Sequence, residues 1–211
     1  DPMPYIPPAN RPAIDSAVND LANEIAAVMT QAEETAEISV RLRAAFRVIA
    51  RTIRAVESGE TPADDGKAAD LAARVLDTAA GYGLKGGWTG ELNYALTRLI
   101  QAVPLAMNRN GTWSEALRYW MYAQIVGALS RAAWEVHAEG NDDFIDNGLC
   151  GVFIDVKDEY KRRVNTAYEA AQILKSGDCY DLAPYRTHLV PVTVDNVTGY
   201  QEVMLPKQDA G

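Results

Sequence analysis

Apolar residues recur at steps of three and four along most of this chain, and that spacing constrains its fold more than any other feature. Ile38, Leu42, Phe46, Ile49, Ile53 and Val56 form one such series. A step of three or four brings side chains to one side of an α-helix, whereas a strand needs alternation. Ile14, Val18, Leu21, Ile25 and Val28 repeat the pattern, as do Leu71, Val75, Leu76 and Ala79. So do Leu92, Leu96, Leu99 and Ile100, and then Leu117, Trp120, Met121, Ile125, Leu129, Ala132 and Val136. A last series runs through Val156, Tyr160, Val164, Tyr168, Ala171 and Leu174. Each stripe must be buried against another, so the expected core is helix on helix.

Punctuation between the stripes places the boundaries. Pro4, Pro7, Pro8 and Pro12 predict an extended arm over residues 1–12, with Asn10 as a cap and Pro12 tolerated in the first turn. Asp1-Pro2 ahead of Met3 reads as an expression remnant. Ser58-Gly59 ends the second stripe, and Thr61-Pro62 offers a new helix start. The run Gly81, Gly83, Gly86, Gly87 separates the third from the fourth, where Pro104 bends or ends the helix. Thr112 and Glu115 have capping-box spacing, Gly140 closes that helix, and residues 140–153 read as a loop. Gly177 closes the last helix.

Beyond it the period changes to two. Leu189, Val190, Val192 and Val194 precede Asp195-Asn196-Val197-Thr198-Gly199, and Val203 and Leu205 follow, a hairpin signal. The expected architecture is mainly α: a bundle of five or six helices over 13–182, an extended proline-rich N-terminal arm, and a C-terminal β-hairpin over 183–211. A lone hairpin is marginal in water, so the tail is expected to dock or to pair with another chain.

The chain carries 20 Lys and Arg against 29 Asp and Glu, a net charge of −9. That balance disfavours nucleic acid as a partner, because the average surface repels a phosphate backbone. No apolar run is long enough for a bilayer, and no secretory signal is visible, so a cytoplasmic protein is expected. Cys150 and Cys179 are the only cysteines; two thiols are the expectation, with a single bridge as the alternative.

Candidate chemistry is sparse. His137 and His188 are the only histidines, and neither a Glu-x-x-His pair nor a zinc-type cysteine spacing occurs. Cys150 has no base beside it, and Gly81 to Gly90 lacks the Lys-Ser/Thr ending of a phosphate loop. Glu34 and Glu37 share a helix face. They look like half of the carboxylate set with which helical nucleotide pyrophosphohydrolases hold Mg2+, Glu91 being a further candidate. The second half is missing at the expected distance, so these two are read first as a solvated helix entry. Catalytic residues are expected to be none, and cofactors none.

Two constellations remain. Arg43, Arg47, Arg51 and Arg54 form a single stripe whose like charges repel by about 0.2–0.5 kcal/mol per pair. Something acidic should face them: a neighbouring helix such as the one bearing Asp15, Asn19 and Glu24, or an anionic ligand or partner subunit. Glu91, Asn93, Tyr94 and Arg98 crowd polar chemistry onto one helix start. With Arg162 or Tyr168 they would line a small polar pocket; alone they would form a network that fixes helix register. Asp158 with Arg162, and Glu159 with Arg163, have the spacing of ordinary surface pairs.

Four segments carry a resemblance. They are Met3-Pro4-Tyr5-Ile6, Gly90-Glu91-Leu92-Asn93-Tyr94, Ile125-Val126-Gly127-Ala128-Leu129, and Arg162-Arg163-Val164 with Tyr168-Glu169 and Gly177-Asp178-Cys179-Tyr180. In this order they resemble an uncharacterised family of bacteria, archaea and tailed phages. The resemblance implies an all-helical fold, no known chemistry, and a tail added beyond the shared region. Taken with the arm, the tail and the segregated charge, it leads us to expect a non-catalytic, self-assembling structural protein. Its homo-oligomer would form through the arm and hairpin, in a phage or mobile-element particle. The alternatives are the Mg2+-dependent hydrolase and a small-ligand binding module.

Overall fold

A computed structural model describes residues 6–27, 35–83, 86–112, 115–140, 143–176, 187–194 and 197–204. The chain is mainly helical. Its helices are α1 Arg11–Ala27, α2 Thr35–Glu57, α3 Lys67–Ala79, α4 Trp88–Arg109, α5 Glu115–Glu139 and α6 Phe144–Tyr160. A π-helical stretch Lys161–Asn165 leads from α6 into α7, Thr166–Ser176. Residues 1–167 form one compact unit and residues 168–211 a second.

In the first unit the helices close a ring. α1 packs on α4 and α3, α4 on α6, α6 on α5, α5 on α2, and α2 back on α3. Each stripe thus finds two neighbours, and the core lies along the middle. Ile14, Leu21, Ile38, Leu42, Phe46, Leu71, Trp88, Leu92, Leu96, Ile125 and Phe153 are buried. Phe46 of α2 meets Phe153 of α6 with ring centroids 5.4 Å apart.

Several local expectations change. Ile6 is buried, the Arg11 guanidinium donates to its carbonyl at 3.4 Å, and Pro8–Asn10 form a single 3-10 turn. The part of the arm that is described therefore packs on its own unit rather than extending: the proline φ near −65° suits a 3-10 turn as well as an extended chain. Residues 1–5 lie outside the described residues, as do Glu34, Cys179 and the side chains of the tail. α3 starts at Lys67 behind Gly66, not at Thr61. α4 runs through Pro104 to Arg109. The Thr112 hydroxyl donates to the Met107 carbonyl at 3.0 Å at the end of α4; the expected capping box with Glu115 falls on a side chain outside the described residues.

The largest difference is the expected loop over 140–153, most of which is helix. Asp143 caps α6, its side chain accepting from the Ile145 and Asp146 amides at 2.9 Å each. Gly148 lies inside that helix because α4 runs close: a Cβ there would sit 3.2 Å from the Trp88 ring. A glycine read as a loop signal is a packing residue. Trp120, expected in the core, is 61% exposed.

Candidate functional site

The polar group at the start of α4 divides into two sets. Glu91 is buried on the side facing the turn that follows α3. The Tyr82 hydroxyl donates to it, and the Asn10 amide donates to Tyr82 at 3.1 Å. That hydrogen bond to a carboxylate, with burial adding to it, raises the Tyr82 phenol above its ordinary range. Asn10 therefore serves as a donor to Tyr82.

Tyr94 and Arg98 turn to α1. The Tyr94 hydroxyl donates to Asp15 at 3.1 Å, and Arg98 Nε donates to the same carboxylate at 3.1 Å. Arg11 lies over the Tyr94 ring, 5.8 Å from its centre. Burial, followed by the bond to Asp15, pushes the Tyr94 phenol up. Asn93 is half-buried, and among the described residues none hydrogen-bonds its side chain. Arg162 pairs with Glu159 through two contacts of 2.8 Å and takes no part in the α4 group. Arg163 adds a third contact to Glu159. Hydrogen bonds from these two arginines hold the Glu159 carboxyl down at about 2. Asp158 pairs with Lys157 instead, at 3.3 Å. Tyr168 belongs to the second unit. Glu91 thus ties the turn before α4 to α4, while Tyr94 and Arg98 tie α1 to it; among the described residues Asn93 takes no part.

The arginine stripe on α2 meets acids, but not those of α1. Arg43 Nε reaches Glu135 of α5 at 2.6 Å, and Arg47 Nη2 lies 3.2 Å from each of its carboxylate oxygens. Arg51 makes a two-pronged contact with Asp64, at 2.8 and 2.9 Å. Arg54 reaches Asp146 at 2.5 Å and the Val136 carbonyl at 2.8 Å. Glu135 and Asp146 are buried, at 7% and 6% exposure, so the stripe is the cationic half of a seam that fastens α2 to α5 and α6. Burial pushes the Glu135 carboxyl up; the hydrogen bonds from Arg43 and Arg47 overcome this and leave it below its ordinary value. Asp15 and Glu24, the acids of the α1 face that also bears Asn19, do not answer the stripe, because α1 packs chiefly on α3 and α4. Sequence reasoning overlooked Glu135 as a partner, although Glu135 and Glu139 repeat at the four-residue step of the arginines.

The carboxylates considered for Mg2+ are not assembled among the described residues. Glu37 pairs with Arg41 at 2.9 Å on an exposed face, while Glu91 is held by Tyr82. No group of three or more His, Cys, Asp or Glu that could hold a metal occurs among the described residues. Cys150 is a half-buried free thiol. Among the described residues no helix is long and apolar enough to cross a membrane.

Of the concavities lined by described residues, two stand out by volume. One, of about 640 Å³, lies between α1 and α3, and there Lys67 is 3.9 Å from Asp20 and 4.0 Å from Asp70. The other, of about 450 Å³, lies between α2 and α5, with Ser39, Val40, Arg43, Arg47, Gln124 and Arg131 among its lining. A family model described as a domain of unknown function, DUF6899, matches residues 3–179. No curated protein and no solved structure matches the chain.

Proposed function

The chain belongs to this family, whose description assigns no activity, and we propose that it is a non-catalytic self-assembling protein in which α5 packs against α5 of a second copy. The observation that carries the reading is the outer face of α5. Trp120 and Trp134 are 61% and 69% exposed there, seven residues to either side of Gly127. Fourteen residues of helix span about 21 Å and bring the two rings back to within roughly 40° of one another.

Gly127 strengthens the case. A glycine in mid-helix costs roughly 0.5–1 kcal/mol relative to alanine, and a Cβ at this position would meet nothing within 4 Å. No neighbour among the described residues requires the missing side chain, whereas a second helix crossing closely would. Ala123 and Ser130 continue the small surface. In an antiparallel pair about a two-fold axis through Gly127, each Trp120 lies beside the partner's Trp134, a self-complementary arrangement. Exposed aromatic rings of this size anchor interfaces.

Two such rings on each partner supply about 300–500 Å2, short of the roughly 800 Å2 per partner of a standard interface. The tail is the natural source of the remainder. Its strands, Thr187–Val194 and Val197–Met204, pair antiparallel from Thr187 opposite Met204 to Val194 opposite Val197. Such a two-stranded ribbon has two unpaired edges, which another chain can extend. A repeating assembly of the phage-particle kind is the setting we favour, in line with the sequence motifs.

Size exclusion with light scattering at two concentrations tests the reading. The full chain should run at a multiple of 23.0 kDa. Trp120→Ser with Trp134→Ser should lower that mass with an unchanged circular dichroism spectrum, and deletion of 183–211 should remove any higher order. A wild-type monomer at both concentrations, or an unchanged mass in the double variant, would refute it.

A further inference from the structure

We infer that the groove between α2 and α5 binds a compact polyanion, a small molecule carrying two or more phosphate groups. The groove has a volume of about 450 Å³, within the range of small-molecule sites. Its lining includes Arg43, Arg47 and Arg131, with Ser39 and Gln124 as neutral residues able to hydrogen-bond.

Charge inside it does not balance. Arg43 and Arg47 share one carboxylate, Glu135, which is buried and held toward α2. Among the described residues no carboxylate pairs with Arg131. Three arginines thus line a groove beside one acid, in a chain whose net charge is −9. Concentrating cations in a concave site raises the local potential against the average of the surface.

Donors remain as well. An arginine has five N–H groups. Arg43 engages Glu135 through Nε and Nη2 and Arg47 through Nη2 alone, so further N–H groups of both remain. Glu135 pre-orients two of the forks, so a ligand need not immobilise them. Forked, charge-assisted donors of this kind match phosphate oxygens. The concave shape favours a compact ligand, and the acidic surround repels the long backbone of a nucleic acid. All of the groove's lining belongs to one chain, but Gln124 and Arg131 stand three residues before and four after Gly127, beside the α5 face proposed to pair, so pairing and ligand compete for that edge.

Inorganic pyrophosphate is the probe, titrated by calorimetry in a phosphate-free buffer at low and moderate salt. Binding should be saturable, should weaken as salt rises, and should fall about tenfold in Arg131→Gln. Arg74→Gln, on the far groove between α1 and α3, should leave it unchanged. ATP and orthophosphate, run beside pyrophosphate, should show that two or more phosphates bind more tightly than one. The Trp120→Ser/Trp134→Ser variant, which frees the α5 face, should bind at least as tightly as the wild type. Absence of binding at millimolar pyrophosphate, indifference to Arg131→Gln, or stronger binding of a short oligonucleotide would overturn the inference. Loss of binding in the tryptophan variant would overturn the claim that one chain suffices.

Discussion

Glu135→Gln probes the seam between α2 and α5 with a near-isosteric change that removes only charge. Glu135 is 7% exposed and accepts from both Arg43 and Arg47. Breaking a fully buried ion pair costs about 3–5 kcal/mol. Here the arginine side chains are 36% and 40% exposed and can turn to water, which calls for a discount. Glutamine also keeps one acceptor oxygen, so the expected loss is about 2 kcal/mol. With an m-value near 2 kcal/mol/M that is a fall of about 1 M in the urea midpoint, and about 4–8 °C in Tm for a chain of this size. Urea unfolding followed by tryptophan fluorescence measures it. Asp64→Asn, opposite the half-exposed Arg51, serves as the control and should cost under about 1 kcal/mol. The pH dependence has a definite sign. Glu135 sits below its ordinary value of 4.5 in the folded chain. Its stabilisation is therefore complete above that value and is lost as pH falls through the folded one. The gap between wild type and Glu135→Gln should close on acidification below 4.5. Glu159, held near 2, titrates in both proteins and cancels from the difference. A gap under about 0.5 kcal/mol at neutral pH, or one that does not shrink with acid, would refute the reasoning.

Three further outcomes are expected. Gly127→Ala should stabilise the isolated chain by up to about 1 kcal/mol, since its Cβ enters open space, yet lower the self-association seen by light scattering. Tyr94→Phe should cost about 1 kcal/mol in urea unfolding by removing the bond to Asp15, leaving Arg98 to hold α1 on α4. Gly140→Ala should cost more, because a Cβ would lie 2.7 Å from the Val136 carbonyl and against the Asp146 carboxylate that Arg54 fixes. Thermal unfolding of Gly140→Ala beside Arg54→Gln should show their effects to be less than additive, as both disturb one contact.

Helix positions that point inward were legible from spacing over much of the first unit, though not at Val56, Val164 or Leu174, which belong to the stripes and are exposed. Leu42, Phe46, Ile49 and Ile53 are all buried, because a helix stripe is set by local geometry and must be covered by something. The polar crowding of α4 was legible too, and so was the need of the arginine stripe for acids. Which residues answer them was not. Asp15 takes Tyr94 and Arg98, while Glu135 and Asp146 take the α2 arginines, because the ring order of helices brings α4 to α1 and α5 and α6 to α2. That order is a global property of packing and leaves no local mark. Gly148 shows the same limit, since only the approach of the Trp88 ring distinguishes a packing glycine from a loop glycine. Trp120 and Trp134 show it most clearly. α5 carries apolar residues on more than one face, so its sequence names several candidate inner sides. Burial of Met121, Ile125 and Leu129 selected one of them and left the tryptophans facing out.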